Sequence, residues 1–223
     1  MEAIILDSFK SAIKERYNKE AKTSSNLSCG NVLSFAEIQQ GENILDLGCG
    51  KGKDVFAASL ITGGSGFVFG VDISGAMIEQ AQKDLNFRKI QNVKFLLSNF
   101  EELPLESDSV EVIISNCALN HTQDKLLVFS EMYRVLKNCG RFIISDIVAE
   151  VELSDEIKND PDARAQCYGG AVTTEQLWKV IQLSGFQEIE ILEKSEPYSK
   201  NGVILRKMTL KANKINDHRR RYV

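Results

Sequence analysis

Apolar residues along this chain follow two alternating rhythms. Short, nearly continuous apolar runs with strand character occur at 43–49 (NILDLGC), 66–72 (GFVFGVD), 92–98 (NVKFLLS), 110–115 (VEVIIS) and 141–148 (RFIISDIV). Between them, apolar and polar positions repeat with helical period at 53–61, 74–87, 122–137 and 173–184. A strand that is apolar at consecutive positions is buried on both faces. Strands that alternate with helices therefore predict a parallel sheet with helices on either side. After Gly185, EIEILEK and GVILRKMTLKA flank SEPYSKNG, whose turn chemistry predicts an antiparallel pair closing one edge of the sheet. Near the start, Ile5, Phe9, Ile13 and Tyr17 recur at every fourth position and predict an amphipathic helix that packs on the domain or lids it. No internal repeat or low-complexity linker interrupts the pattern. The expected layout is an N-terminal helix and lid segment at 1–30, one domain at 31–212 and a polar tail at 213–223.

Composition narrows the classes this chain can join. Its 223 residues suit one large domain, and 43% hydrophobic with 26% charged residues is ordinary for a soluble globular protein. The net charge of −4 supplies no global basic field for nucleic acid, and HRRRY at 218–222 reads as a solvated terminus. No apolar stretch approaches the roughly 20 residues that span a bilayer. MEAIILDSFKSAIKERY also lacks the basic-then-apolar layout of a signal peptide, so the expectation is a cytoplasmic protein with no membrane partner. The five cysteines (Cys29, Cys49, Cys117, Cys139 and Cys167) are odd in number and dispersed, which argues against a disulfide framework. With two histidines and no CxxC or HExxH, no conventional zinc or iron site is expected.

Chemistry concentrates where strands end. ILDLGCGKGKD (44–54) reads as strand, glycine-rich turn and helix, with Gly48, Gly50 and Gly52 in a G-x-G-x-G spacing. This departs from the dinucleotide fingerprint and from the phosphate-binding P-loop. Asp46, just before the first glycine, would repel a pyrophosphate and suits a cation. Asp72 ends the second strand, where an acidic side chain accepts ribose hydroxyls in doubly wound folds. A ribose acceptor, an adenine slot and a carboxylate near a positive group fit S-adenosylmethionine. The fourth strand then leaves into SNCALNHTQDK (115–125), crowding Asn116, Cys117, Asn120 and His121 at the ligand-binding edge.

LDLGCGKG, GVDIS, NFEELP and MYRVLKNCGRFIISD are similar, in order and spacing over about residues 40–150, to the successive motifs of class I S-adenosylmethionine-dependent methyltransferases. That resemblance implies an α/β, doubly wound, Rossmann-like seven-stranded sheet of order 3-2-1-4-5-7-6. It also implies Asp46 and the turn residues Gly48, Cys49, Gly50 and Gly52 near the methionine moiety, and Asp72 on the ribose. Ile73 and Met77 would lie along the adenine, Asn99 and Phe100 at its edge, and Ser115 and Asn116 near the cofactor's sulfur.

A narrower resemblance follows. SNCALNHTQDK resembles the strand-four exit of the arsenite methyltransferases, ARAQCYGGAVTTEQLWKVIQLSGF (163–186) their second cysteine segment, and LSCGN (27–31) the segment of a third arsenic-binding cysteine. The resemblance implies that Cys29, Cys117 and Cys167 hold trivalent arsenic as substrate while it receives a methyl group. S-adenosyl-L-homocysteine would be the product, and a thiol such as glutathione or thioredoxin the reductant. The expected protein acts on a small molecule as a monomer or weak homodimer. Trivalent arsenic is soft and thiophilic, so thiolates are its natural ligands, and the protein's task is positioning and desolvation. Cys49 and Cys139 are expected as small core hydrophobes and Trp178 as a core residue. His121 is open between tuning a thiol, acting as a base, and packing. Two other readings stay open: a methyltransferase of another small molecule, quinone-like or thiol, and a non-catalytic cofactor- or metalloid-binding protein.

Overall fold

The computed structural model describes residues 2–23 and 30–215, with side chains from residue 8 onward. Among the described residues, β1 (Ile44–Leu47), β2 (Val68–Asp72), β3 (Val93–Leu97), β4 (Val110–Asn116), β5 (Leu136–Ala149), β6 (Gln187–Lys194), β7 (Tyr198–Lys200) and β8 (Val203–Asn213) form one eight-stranded sheet. Its order is β3-β2-β1-β4-β5-β8-β6, with β7 paired to β8 off this path. The pairs among β1 to β5 are parallel, and β8 runs antiparallel to β5, β6 and β7. Setting β7 aside leaves the expected seven-strand order. The added strand arises inside SEPYSKNG because Asn201 and Gly202 both take positive φ (52° and 79°), which folds Tyr198–Lys200 directly back onto β8.

Eight α-helices accompany the strands among the described residues: α1 (Glu2–Glu20), α2 (Val32–Phe35), α3 (Lys53–Thr62), α4 (Gly75–Arg88), α5 (Lys125–Val135), α6 (Asp155–Lys158), α7 (Pro161–Ala165) and α8 (Thr174–Leu183). Their starts are chemically marked. The Ser74 hydroxyl accepts from Met77 N–H at α4, and the Asp124 carboxylate accepts from Leu127 N–H at α5. At α8, Thr173 and Gln176 form a reciprocal capping box. No helix among the described residues is long and apolar enough to cross a membrane.

The sheet is buried on both faces, as its continuous apolar strands require. In β4, Ile113 packs with Leu45, Phe129, Met132 and Phe142 on one face, while Val112 and Ile114 pack with Ile44, Val55 and Val68 on the other. Each fully buried side chain of this size contributes about 1.5–3 kcal/mol from the water it leaves. Phe142 and Phe186 add an edge-to-face contact with ring centroids 4.7 Å apart.

Two core expectations are corrected. Cys139 is exposed at φ 63°, in a bulge where the β4–β5 register shifts, because α5 runs into β5 without an intervening loop. Trp178 is only half-buried, since Leu177 and Ile181 carry the inward face of α8. The buried Lys214 ammonium donates to the carbonyls of Tyr133 and Leu136, anchoring the chain just beyond β8. HRRRY, like the side chain of Ile5, lies outside the described residues.

Candidate active site

The strand order reverses at β1, whose neighbours β2 and β4 lead the chain in opposite directions across the sheet. At the carboxyl ends of these strands lies a cavity of about 700 Å³, where a doubly wound fold collects its ligands. Among the predicted residues, Asp46, Gly48, Cys49, Gly50, Asp72, Ile73, Phe100, Asn116, Cys117 and Cys167 line it.

One wall is built from the glycine turn. Gly48 takes φ 79°, and a Cβ there would lie 2.3 Å from the Ala118 Cβ, so only glycine lets the turn meet the β4 exit this closely. The Asp72 carboxylate knits the wall together, accepting from Gly50 N–H (2.9 Å) and Ser74 N–H (2.8 Å). Burial pushes the Asp72 carboxyl up and the Asp46 carboxyl well above the usual range, and neighbouring carboxylates add to the rise at Asp46. Asp46, Asp54 and Asp72 bring three carboxyl groups to this wall, beside Lys51 and Lys53. The Cys49 thiol is pushed up by burial and by Asp72 and Asp46, as suits an unreactive packed cysteine.

The cysteine segments also line the cavity. Cys117 extends the β4 ladder by donating its N–H to Ser145 O (2.8 Å) and turns out at φ 53°. Cys167 follows α7 at φ 74°, and both values lie in a region non-glycine residues seldom occupy. The Cys167 sulfur stands 3.3 Å from Asp146 Oδ1 and 3.7 Å from the Cys117 carbonyl oxygen, so the fold brings the two cysteine segments into contact. Lys200 donates to Gln166 O, and Lys200 and Lys207 line the cavity with Gln166 beside Cys167. Cys29 lies outside the described residues. Its chain neighbour Gly30 accepts from Asn116 Nδ2 (2.8 Å), directly beside Cys117. Among the described residues, no three His, Cys, Asp or Glu side chains converge to hold a metal ion.

Helix α1 roofs the cavity with Ile13, Arg16 and Tyr17. His121 Nδ1 lies 3.0 Å from Arg164 O and its Nε2 lies 2.7 Å from the Tyr17 hydroxyl. A carbonyl can only accept, so Nδ1 carries the proton and Tyr17 donates to Nε2. Burial pushes the His121 pKa down to about 3, with Arg16, Lys125 and Arg164 nearby also disfavouring a charged ring. His121 is thus a neutral bridge from roof to wall. Burial also pushes the Tyr17 phenol upward, with Cys167 the next largest contribution.

Four predicted residues do not line the cavity. Gly52 caps α3 and packs against Phe95, and Met77 is fully buried in α4. Asn99 is exposed, and the Ser115 hydroxyl donates to Leu47 O (2.8 Å), pinning β4 to β1. Ile13, Arg16, Tyr17, Lys200 and Lys207 were not foreseen in the lining. The fourfold spacing of the first helix marked its apolar positions without showing which element they would face.

Residues 38–194 match the model of a family described as methyltransferase domain. The arsenite methyltransferase of Halobacterium salinarum is 40% identical over 170 residues, covering 76% of this chain and 44% of that protein. The demethylmenaquinone methyltransferase of Lactococcus lactis is 41% identical over 103 residues, covering 46% of this chain and 41% of that protein. The chain thus spans less than half the length of these curated relatives. The crystal structure of an arsenic(III) S-adenosylmethionine methyltransferase from Chlamydomonas reinhardtii is similar at a TM-score of 0.74 and 25% identity, covering 94% of this chain and 74% of that one.

Proposed function

The chain belongs to the methyltransferase domain family, and from that premise we propose that it transfers a methyl group from S-adenosylmethionine to trivalent arsenic held by cysteine thiolates. The observation that carries this reading is the meeting of Cys117 and Cys167 in the cavity that Asp46 and Asp72 also line. A thiophilic acceptor and a cationic donor call for those two pairs of residues. When bound, S-adenosylmethionine supplies an electrophilic methyl group on a positively charged sulfur.

The residues of the glycine-turn wall suit that molecule. Asp72 keeps lone pairs for ribose hydroxyls beyond those committed to Gly50 and Ser74. Asp46 offers a buried carboxylate to the cationic end, and Phe100 and Ile73 offer apolar surface to the base. Cys117 and Cys167 hold the acceptor, and α1 with Tyr17 keeps water from the reacting atoms. Cys29 is the proposed third ligand. The hydrogen bond from Asn116, the neighbour of Cys117, to Gly30, the chain neighbour of Cys29, supports this. A thiol reductant such as glutathione or thioredoxin keeps these sulfurs available.

The test is arsenite-dependent release of S-adenosylhomocysteine by Cys117→Ser and Cys167→Ser variants. Each is expected to lose at least about 100-fold in rate, as for residues that act as a unit, while binding of the cofactor is retained. Unchanged arsenite methylation in both would overturn the reading. Transfer to a quinol by the same variants would favour a different small-molecule acceptor.

A further inference from the structure

Two buried polar residues of the 115–125 segment, Asn120 and Lys125, do not line the cavity. Burying an amide and an ammonium is costly unless each finds partners, and here the partners lead to a sulfur. The Lys125 ammonium donates to Leu119 O (3.0 Å) and to Asn120 Oδ1 (3.1 Å). With its carbonyl fixed in this way, the Asn120 amide donates from Nδ2 to Ile147 O (2.7 Å) and Asp146 Oδ1 (2.9 Å), and Asn120 N–H donates to Asp146 Oδ2 (3.1 Å). Ile147 N–H donates to Asp146 Oδ1 as well (2.8 Å). Three N–H groups thus set the carboxylate's orientation, and its remaining close neighbour is the Cys167 sulfur at 3.3 Å.

The Cys167 thiol hydrogen has both Asp146 Oδ1 and the Cys117 carbonyl in reach among the described residues. Asp146 Oδ1 is nearer than the Cys117 carbonyl, so the hydrogen goes to Asp146. That choice sets the torsion of the side chain and holds the sulfur against the Cys117 segment. We propose that Asp146, braced by Asn120 and Lys125, is a positioning residue that aims the Cys167 thiol so that Cys117 and Cys167 are presented together to a soft electrophile. The inference rests on the thiol reading above and adds to it the residues that orient one of the two sulfurs.

Phenylarsine oxide is a suitable probe. Its arsenic closes on two neighbouring thiols, forming two As–S bonds, while both thiol protons leave with the oxide oxygen as water. Protection of Cys117 and Cys167 from iodoacetamide, read by peptide mass spectrometry, reports capture of the pair. Alkylation without the arsenical reports each thiol separately, and S-adenosylhomocysteine binding reports the fold. In Asp146→Asn an N–H must face another N–H whichever way the new amide turns. The concentration for half-protection should therefore rise roughly tenfold while single-thiol alkylation and cofactor binding persist. A merely structural role would instead move all three readouts together. Unchanged paired protection in Asp146→Asn overturns the proposal.

Lys125→Met is the second variant. It leaves the carboxylate in place, removes the donor that fixes Asn120, and should weaken paired capture in the same direction. If Asp146→Asn loses cofactor binding, Lys125→Met decides, and parental half-protection there overturns the proposal. If the parent protein itself gives no paired protection of Cys117 and Cys167, the thiol reading fails along with it. If the parent captures the pair and both variants match it, only the positioning role fails.

Discussion

Asp46 shows how a single residue trades stability for binding. Its carboxyl is buried beside Asp54 and Asp72, and its pKa is raised well above the usual range. An acid whose folded pKa is raised binds its proton more tightly folded than unfolded. As pH climbs from the unfolded value toward the folded one, stability is therefore lost, and the deficit is complete above the folded pKa. A bound cation reverses the preference by favouring the ionised form. Asp46→Asn should accordingly raise the thermal midpoint of the ligand-free protein at neutral pH while weakening S-adenosylmethionine binding about 10–100-fold. The parent's affinity should increase with pH through the Asp46 titration and the variant's should stay flat. Calorimetric titration across pH checks both, and a pH-dependent Asp46→Asn protein would assign the effect to another carboxylate. Asp72 was legible in the sequence because it ends an apolar run, and Asp46 because it interrupts one just ahead of the glycine turn. The orientations of Ser115 and His121 were not. The hydroxyl's direction depends on Leu47 in the neighbouring strand, and the imidazole's tautomer on Arg164 O and on Tyr17 from the first helix.

At the scale of elements, the turn that carries Cys167 depends on a glycine. A Cβ at Gly170 would sit 1.8 Å from the carbonyl oxygen of Asn120, so the segment after α7 seats directly on the backbone that follows Cys117. Gly170→Ala must push these two segments apart, at a cost of about 1–3 kcal/mol for forced overpacking. The expected result is a lowered denaturation midpoint and a larger loss in paired thiol capture than in cofactor binding, measured on the same preparation. Equal loss of both would mean that the segment serves the whole fold. The long strands and helices were readable because periodicity accumulates over many residues. The four-residue α6, the five-residue α7 and the three-residue β7 were not, because none spans enough positions to show a period. The bulge at Cys139 also escaped, since it arises from the register of β5 against β4.

For the molecule as a whole, the roof joins the glycine-turn wall to the exit of β4. From α1, Asn18 Oδ1 accepts from the Ser74 hydroxyl (2.8 Å) beside that wall, while Tyr17 meets His121 at the exit. Ligand held beneath such a roof should stabilise it along with the domain. At about 100 times its dissociation constant, S-adenosylhomocysteine should add about 2.7 kcal/mol, or roughly 5–10 °C in the thermal midpoint for a chain of this size. Hydrogen exchange should slow in α1 as well as in the glycine turn, and an α1 unaffected by ligand would remove it from the closed site. The sequence by itself determined the alternation of buried strands and covering helices, the acidic strand ends and the thiol-bearing exit of β4. Each of these is a local pattern, because the side chains of one element record which of its faces must leave water. Only the tertiary structure decided that Cys167 meets Cys117, that Asp146 takes the Cys167 thiol hydrogen, and that His121 is a neutral bridge. Those contacts join segments far apart in the chain. They are set by several elements packing at once, which no single stretch of sequence encodes.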